Sequence, residues 1–158
     1  MYILINIFFL SVTIYNLIKR KQNLFKALVP KSSIIVAIIF LIIGLIIWFL
    51  KDKSIIGLIT VINAVIFFIS FFSAIGINEK YFNCFMANSI VILSVPYDQV
   101  VKIIISKKNN KIYLKIKAFS YEFLQQYNVR LAPQLVKFLK KNLESDVLFG
   151  SILNSVDE

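Results

Sequence analysis

Three long apolar runs dominate the first half of the chain. Residues 2–18 (YILINIFFLSVTIYNLI), 34–50 (IIVAIIFLIIGLIIWFL) and 55–77 (IIGLITVINAVIFFISFFSAIGI) contain no Asp, Glu, Lys, Arg or His, and each is followed at once by charged residues: Lys19-Arg20-Lys21, Lys51-Asp52-Lys53 and Glu79-Lys80 after Asn78. At a rise of about 1.5 Å per residue the first two predict helices of about 25 Å and the third one of about 35 Å, against a hydrocarbon core of about 30 Å. Residues 34–50 carry no polar side chain at all. A core helix of a soluble protein needs a polar side, so the three runs predict transmembrane spans. No basic residue precedes 2–18 and no small-x-small site follows it, which predicts a retained anchor rather than a cleaved signal peptide.

Polar and small residues inside the spans fall in sectors: Asn6, Thr13 and Asn16 on the first, Ala37 and Gly44 on the second, Thr60, Asn63, Ser70 and Ala74 on the third. They predict packing seams, where small residues let backbones approach and amides or hydroxyls bond between helices. An ion or substrate path would carry an ionisable group at membrane depth, and none is there.

After Gly76 the continuous apolar pattern gives way to alternation. In Ile112-Tyr113-Leu114-Lys115-Ile116-Lys117 the aliphatic side chains occupy one face and Tyr and Lys the other, as in a half-buried strand. A two-residue turn at Asn109-Asn110 sets Ile105 opposite Leu114, Ile103 opposite Ile116 and Val101 opposite Ala118, all apolar pairs. The same register sets Ile104 opposite Lys115 and Lys102 opposite Lys117, a face that reads as mostly polar and basic. Further strands are expected at Glu79–Phe85, at Ser89–Val95 up to Pro96, and at Ser120–Gln125. A helical period then brings Leu131, Leu135, Phe138, Leu139 and Leu143 to one stripe, with Pro133 in the first turn, and Val147-Leu148-Phe149 suggests a short apolar turn. The expected organisation is a transmembrane anchor over 1–77 and one α+β domain over 78–158.

Charge adds an orientation. The first connection, 19–33, holds Lys19, Arg20, Lys21, Lys26 and Lys31, while the turn 51–54 holds Lys51 and Lys53 beside Asp52. The positive-inside rule makes the first connection cytoplasmic, and with three spans it places the N-terminus outside and residues 78–158 inside. Sixteen of the eighteen basic residues then lie on the cytoplasmic face of the cell membrane, with Trp48 and Phe49 at the outer interface and Tyr15 at the inner one.

Composition narrows the chemistry. Hydrophobic residues make up 59% of 158 positions and charged ones 16%, an excess that a globular surface does not tolerate. Histidine is absent, which removes Ser-His-Asp and Cys-His triads and every His-containing zinc site. The eight acids form no paired-carboxylate site, and Gly44, Gly57, Gly76 and Gly150 form neither a P-loop nor a dinucleotide turn. No catalytic residue, metal site or cofactor is expected. Cys84 sits in an apolar strand context and is expected to pack, and Asp98 is expected to bond backbone amides in the turn after Pro96.

The order of these features, Gly76-Ile77 at a membrane exit, Val95-Pro96-Tyr97-Asp98-Gln99-Val100, a Lys/Asn-tipped hairpin and a closing amphipathic helix, resembles bacterial membrane proteins with a PH-like domain over roughly residues 76–144. The resemblance implies a strongly bent antiparallel sheet capped by a C-terminal helix, with no catalytic activity attached. Within it Lys102, Lys107, Lys108, Lys111, Lys115 and Lys117 concentrate on one hairpin and are the candidate lipid- or partner-facing residues. They suit anionic headgroups, each nearby basic residue contributing on the order of 1 kcal/mol. Nucleic acid is not expected, since Tyr113 alone is no stacking platform. Two roles fit: a non-enzymatic anchored module that binds a protein partner or the anionic inner leaflet, or a self-immunity protein shielding the membrane from a bacteriocin or toxin.

Overall fold

The structure, a computed structural model, describes residues 1–86 and 92–149. Three helices, α1 (Tyr2–Gln22), α2 (Lys31–Lys51) and α3 (Ile55–Ala74), are each long and apolar enough to cross a membrane. They extend the expected runs: α1 takes in Lys19-Arg20-Lys21, cations that favour the negative end of the helix dipole, and Ser54 caps α3 by accepting from the amide of Gly57. Helix α3 packs against both α1 and α2.

The polar seams form as expected between α1 and α3. Asn6 Nδ2 donates to Thr60 Oγ1 (2.7 Å), Asn63 Nδ2 to Asn6 Oδ1 (2.6 Å) and Asn16 Nδ2 to Ser70 Oγ (2.8 Å). Gly44 packs so close to α3 that a Cβ there would lie 2.7 Å from Val61 Cγ1, which is why a side chain is missing from that point of α2.

The third run does not continue as helix to residue 77. Helix α3 stops at Ala74, Ile75 is extended (φ −64°, ψ 138°), and Gly76–Ile77 form strand β2. Its partner is β1 (Phe25–Lys26), which lies in the connection between α1 and α2: Phe25 faces Ile77 and Lys26 faces Gly76. The sheet therefore reaches across the expected boundary at 77/78 and recruits chain from the far side of two helices. Strand β2 pairs with β3 (Tyr81–Cys84), and β3 with β4 (Leu93–Pro96), giving a four-stranded antiparallel sheet in the order β1-β2-β3-β4. Both β3 and β4 are shorter than expected, and residues 89–91 of the second expected strand lie outside the described residues.

A second sheet follows, in the order β7-β6-β5-β8, from β5 (Val100–Lys108), β6 (Lys111–Ala118), β7 (Tyr121–Asn128) and β8 (Leu148–Phe149). Asn109 and Asn110 are both left-handed (φ 49° and 59°), the geometry of a two-residue primed turn, and the register is the expected one at Ile105–Leu114, Ile103–Ile116, Ile104–Lys115 and Lys102–Lys117. It departs at the open end: Val100, not Val101, faces Ala118, because a bulge at that point turns Val101 out to solvent. The next turn also uses two left-handed residues, Phe119 (φ 51°) and Ser120 (φ 65°), so Ser120 belongs to a turn rather than a strand. A bulky residue held there costs about 1 kcal/mol. The domain is not wholly antiparallel, since β8 runs parallel to β5.

Helix α4 (Ala132–Asn142) closes the domain with Leu135, Val136 and Leu139 buried, and Pro133 sits in its first turn as expected. One continuous core unites the pieces: Ile77, Phe82 and Val95 from the first sheet, Ile103, Ile105, Ile112, Leu114 and Ile116 from the second, and the buried stripe of α4. Phe138 of α4 stacks near Phe25 of β1 at 5.4 Å between ring centroids, so the helix also holds the strand borrowed from the first connection.

Candidate functional site

The junction between helices and sheets is a chain of buried polar contacts that starts at the basic end of α1. Lys19 Nζ donates to Ser94 Oγ (3.0 Å) and lies over the Tyr81 ring (4.9 Å), while Arg20 Nη1 donates to the Ser73 carbonyl at the end of α3 (2.6 Å). Asn23 Nδ2 bonds the Ala74 carbonyl (2.9 Å), and Asn23 Oδ1 accepts from Asn83 Nδ2 (2.6 Å), whose own Oδ1 accepts from Ser94 (2.9 Å). From β7, Gln125 Nε2 reaches the Asn83 carbonyl (3.0 Å) and Cys84 Sγ (3.4 Å), and Tyr127 donates its hydroxyl hydrogen to Gln125 Oε1. Asn23, Asn83, Gln125 and Tyr127 are all buried. Each polar atom that folding takes from water here receives a partner, which makes the network the register pin between the two sheets.

Burial governs ionisation in this layer. The Cys84 thiol is pushed up from an ordinary 9.0 to about 12 by desolvation, only partly offset by Gln125. Desolvation also raises the phenols of Tyr127 and of Tyr97, the latter with a smaller push from Glu79. All three keep their protons in the fold and lose them earlier in the unfolded chain. Their contribution is therefore complete below about pH 9 and is lost as pH rises through the raised values. Chemical denaturation in detergent between pH 8 and 11 should show a midpoint that holds to about pH 9 and then falls steadily; a flat profile would contradict the burial of these groups.

The six expected lysines lie on the second hairpin but do not behave alike. Lys107, Lys108 and Lys111 surround the Asn109-Asn110 tip, and Lys102, Lys115 and Lys117 share the outer face of the sheet. Lys115 is paired with Glu122 of β7 (2.7 Å), whose carboxyl is held below its ordinary range by that contact, and Lys102 Nζ sits 4.5 Å from the centroid of the Phe149 ring. Among the described residues Lys107, Lys108, Lys111 and Lys117 make no ion pair. The outer face is more apolar than expected, because β7 and β8 contribute side chains that the hairpin alone does not predict. Leu124, Lys115, Ile104 and Phe149 form one row across four strands, with Leu124 60% exposed and Phe149 44%. Exposed aliphatic and aromatic groups interleaved with cations suit a surface that meets a lipid headgroup region.

One contact orients this hairpin. The amide of Leu28, three residues before α2 begins, donates to the Gln126 carbonyl of β7 (2.7 Å). Gln126 faces Tyr113, so the tip residues lie only about 13 Å further along the strand at about 3.3 Å per residue. The opposite turn, Phe119-Ser120, is at the other end of the sheet.

Asp98 does not take the expected role: it is exposed in a 3-10 turn, Tyr97–Gln99, and among the described residues no turn amide bonds its carboxylate. Tyr97 does the holding there, donating to the Asn78 carbonyl and packing edge-on to Phe82 (5.0 Å). Among the described residues no three of Cys, Asp and Glu gather in a way that could hold a metal ion. The buried network escaped the sequence reading, although Gln125 carries a signal: it alternates with Phe123 and Tyr127 at inward positions, where an amide must find a partner. No family model, no curated protein and no solved structure matches the chain.

Proposed function

We propose that the chain is a non-enzymatic module of the cell membrane, anchored by α1, α2 and α3, whose PH-like sheet domain sits on the cytoplasmic side and rests its basic hairpin on the anionic inner leaflet. The observation that carries this reading is the Leu28–Gln126 hydrogen bond, which ties the basic end of the second sheet to the start of a span. Lys107, Lys108 and Lys111 surround that end without an ion pair among the described residues, and a cluster of cations held beside a span makes weak attraction to anionic headgroups sufficient. The pairing of β1 with β2 supports a common side for the first connection and everything after α3, since the two strands close the loop around the α2–α3 pair. The cytoplasmic assignment follows from the excess of Lys and Arg on that side. Two four-stranded sheets closed by a C-terminal helix support the PH-like reading.

Full-length protein in nanodiscs tests it. A fluorophore placed by Asn110→Cys should be quenched by headgroup spin labels far more than one placed by Tyr121→Cys, because the two sites lie at opposite ends of the sheet; buried Cys84 leaves the labelling selective. The difference should grow with anionic lipid, shrink as salt rises, and lose its lipid dependence in a Lys107→Gln/Lys108→Gln/Lys111→Gln variant. Equal quenching at both positions would sink the proposal.

A further inference from the structure

An apolar cleft of about 550 Å³ lies between α1 and α2, roofed on its inner side by α3. Tyr2 and Phe9 form one wall, Gly44 and Trp48 the other, and Ala64 lies on the α3 surface between them. Two aromatic contacts frame its deep end: Phe9 against Phe67 (4.8 Å between centroids) on the α1 side and Phe40 against Phe68 (5.5 Å) on the α2 side. Its mouth carries Lys51 and Asp52. Asp52 accepts a hydrogen bond from Ser54 (2.7 Å), so part of its charge is engaged, and Lys53 adds a second cation to the same turn.

The dimensions point to an occupant. From Lys51 at the mouth to Phe40 at the deep end is eleven residues of helix, about 16 Å at about 1.5 Å per residue, which is half of a hydrocarbon core of about 30 Å. A groove for a partner helix would continue across the whole bilayer, whereas this one ends at the depth of a single leaflet. Water has almost no partner inside it, and an empty cleft would leave its lining without dispersion contacts on one side. Hydrocarbon fills such a space, and a chain one leaflet long with a negative group at the Lys51 end matches it at both ends.

We propose that this cleft holds one acyl chain of an anionic phospholipid from the leaflet facing away from the sheets, with the phosphate beside Lys51. The proposal rests on the reading of α1, α2 and α3 as membrane spans. It makes the anchor a selective lipid site, distinct from the diffuse charge attraction at the hairpin on the opposite side.

Trp48 is the chain's single tryptophan and lines the cleft, so it reports directly. The full chain would be placed in phosphatidylcholine nanodiscs with a small, equal fraction of either dibrominated phosphatidylglycerol or dibrominated phosphatidylcholine. The anionic quencher should act as though enriched about fivefold near Trp48, the share that one lysine–headgroup contact supplies. Lys51→Gln should remove that preference while Lys53→Gln, outside the cleft lining, keeps most of it; Ala64→Phe, which fills the cleft, should bring the two quenchers level. Equal quenching by both lipids in the unsubstituted protein would overturn the proposal, as would an equal loss in Lys51→Gln and Lys53→Gln, which is the mark of unspecific surface charge. No quenching by either lipid would show that Trp48 is not in a bilayer and would overturn the membrane reading itself together with the cleft.

Discussion

Replacing Gly76 by valine should destabilise the sheet domain by about 3 kcal/mol, the sum of an overpacked contact and a broken buried hydrogen bond. A Cβ at this position would lie 2.4 Å from the Phe25 carbonyl oxygen and 2.5 Å from Asn23 Nδ2. Neither neighbour can move freely: Phe25 is held by the β1–β2 pairing and by Phe138, and Asn23 bonds both the end of α3 and Asn83. Relief of the clash must open β1 from β2 or pull Asn23 out of the network, and each leaves buried polar groups without partners. The demand is for close approach of backbones rather than for a left-handed conformation, so alanine should already cost a large part of the effect. Cys84 gives the readout, because it is fully buried, is the only cysteine, and reacts with a thiol reagent only when the sheet opens. Its labelling rate under native conditions should rise about a hundredfold in Gly76→Val, at about 1.4 kcal/mol per factor of ten. An unchanged rate would show that the strands can separate without consequence.

A larger loss is expected when residues 78–158 are expressed without the rest. That fragment lacks β1, β2 and Asn23, so the first sheet shrinks from four strands to the pair β3–β4, and Phe82 and Asn83 lose Ile77, Gly76 and the Asn23 amide at once. Two short strands do not form a stable sheet in water, and the exposed edge would offer Phe82 and its neighbours to other copies. The fragment should label Cys84 at the rate of an unfolded peptide and aggregate as its concentration rises, while the longer hairpin keeps the Ile105–Leu114 and Ile103–Ile116 contacts in part. Protection of Cys84 equal to that in the full chain would show that the first sheet does not need the strands it borrows.

These two cases mark where the sequence could be read and where it could not. The β5–β6 register was legible because the alternation of Ile112–Lys117 and the apolar residues of β5 flank a turn whose Asn-Asn chemistry fits its φ angles, and a slip of one position would turn Ile103, Ile105, Leu114 and Ile116 outward. The helices were legible because residues 34–50, like the other two runs, are an unbroken apolar stretch long enough to form one helix. Strands β1 and β2 have two residues each, too few to carry any period, and they pair across about fifty residues of intervening chain. Gly76 and Ile77 sit at the end of an apolar run whose composition is as good for a helix as for a buried strand. The turn at Phe119-Ser120 was hidden because phenylalanine there conflicts with the left-handed backbone, and tertiary packing overrides the preference. For the candidate surface, the lysines were readable one by one, but Glu122, Leu124 and Phe149 reach them only through strand order, which local patterning does not encode.

The borrowed strand β1 has a consequence for how the chain is made. Lys26 and Phe25 emerge from the ribosome about fifty residues before their partners, and on the proposed reading of the helices as membrane spans α2 and α3 are laid into the bilayer as a pair in between. If α2 alone were threaded, or if the pair were inserted upside down, β1 and β2 would finish on opposite sides of the lipid and the first sheet could never be completed. On that reading, closure of the sheet, with Asn83 and Cys84 sealed inside, acts as a proofreading step on insertion: a mis-threaded chain keeps an open sheet edge, a template for pairing with other chains.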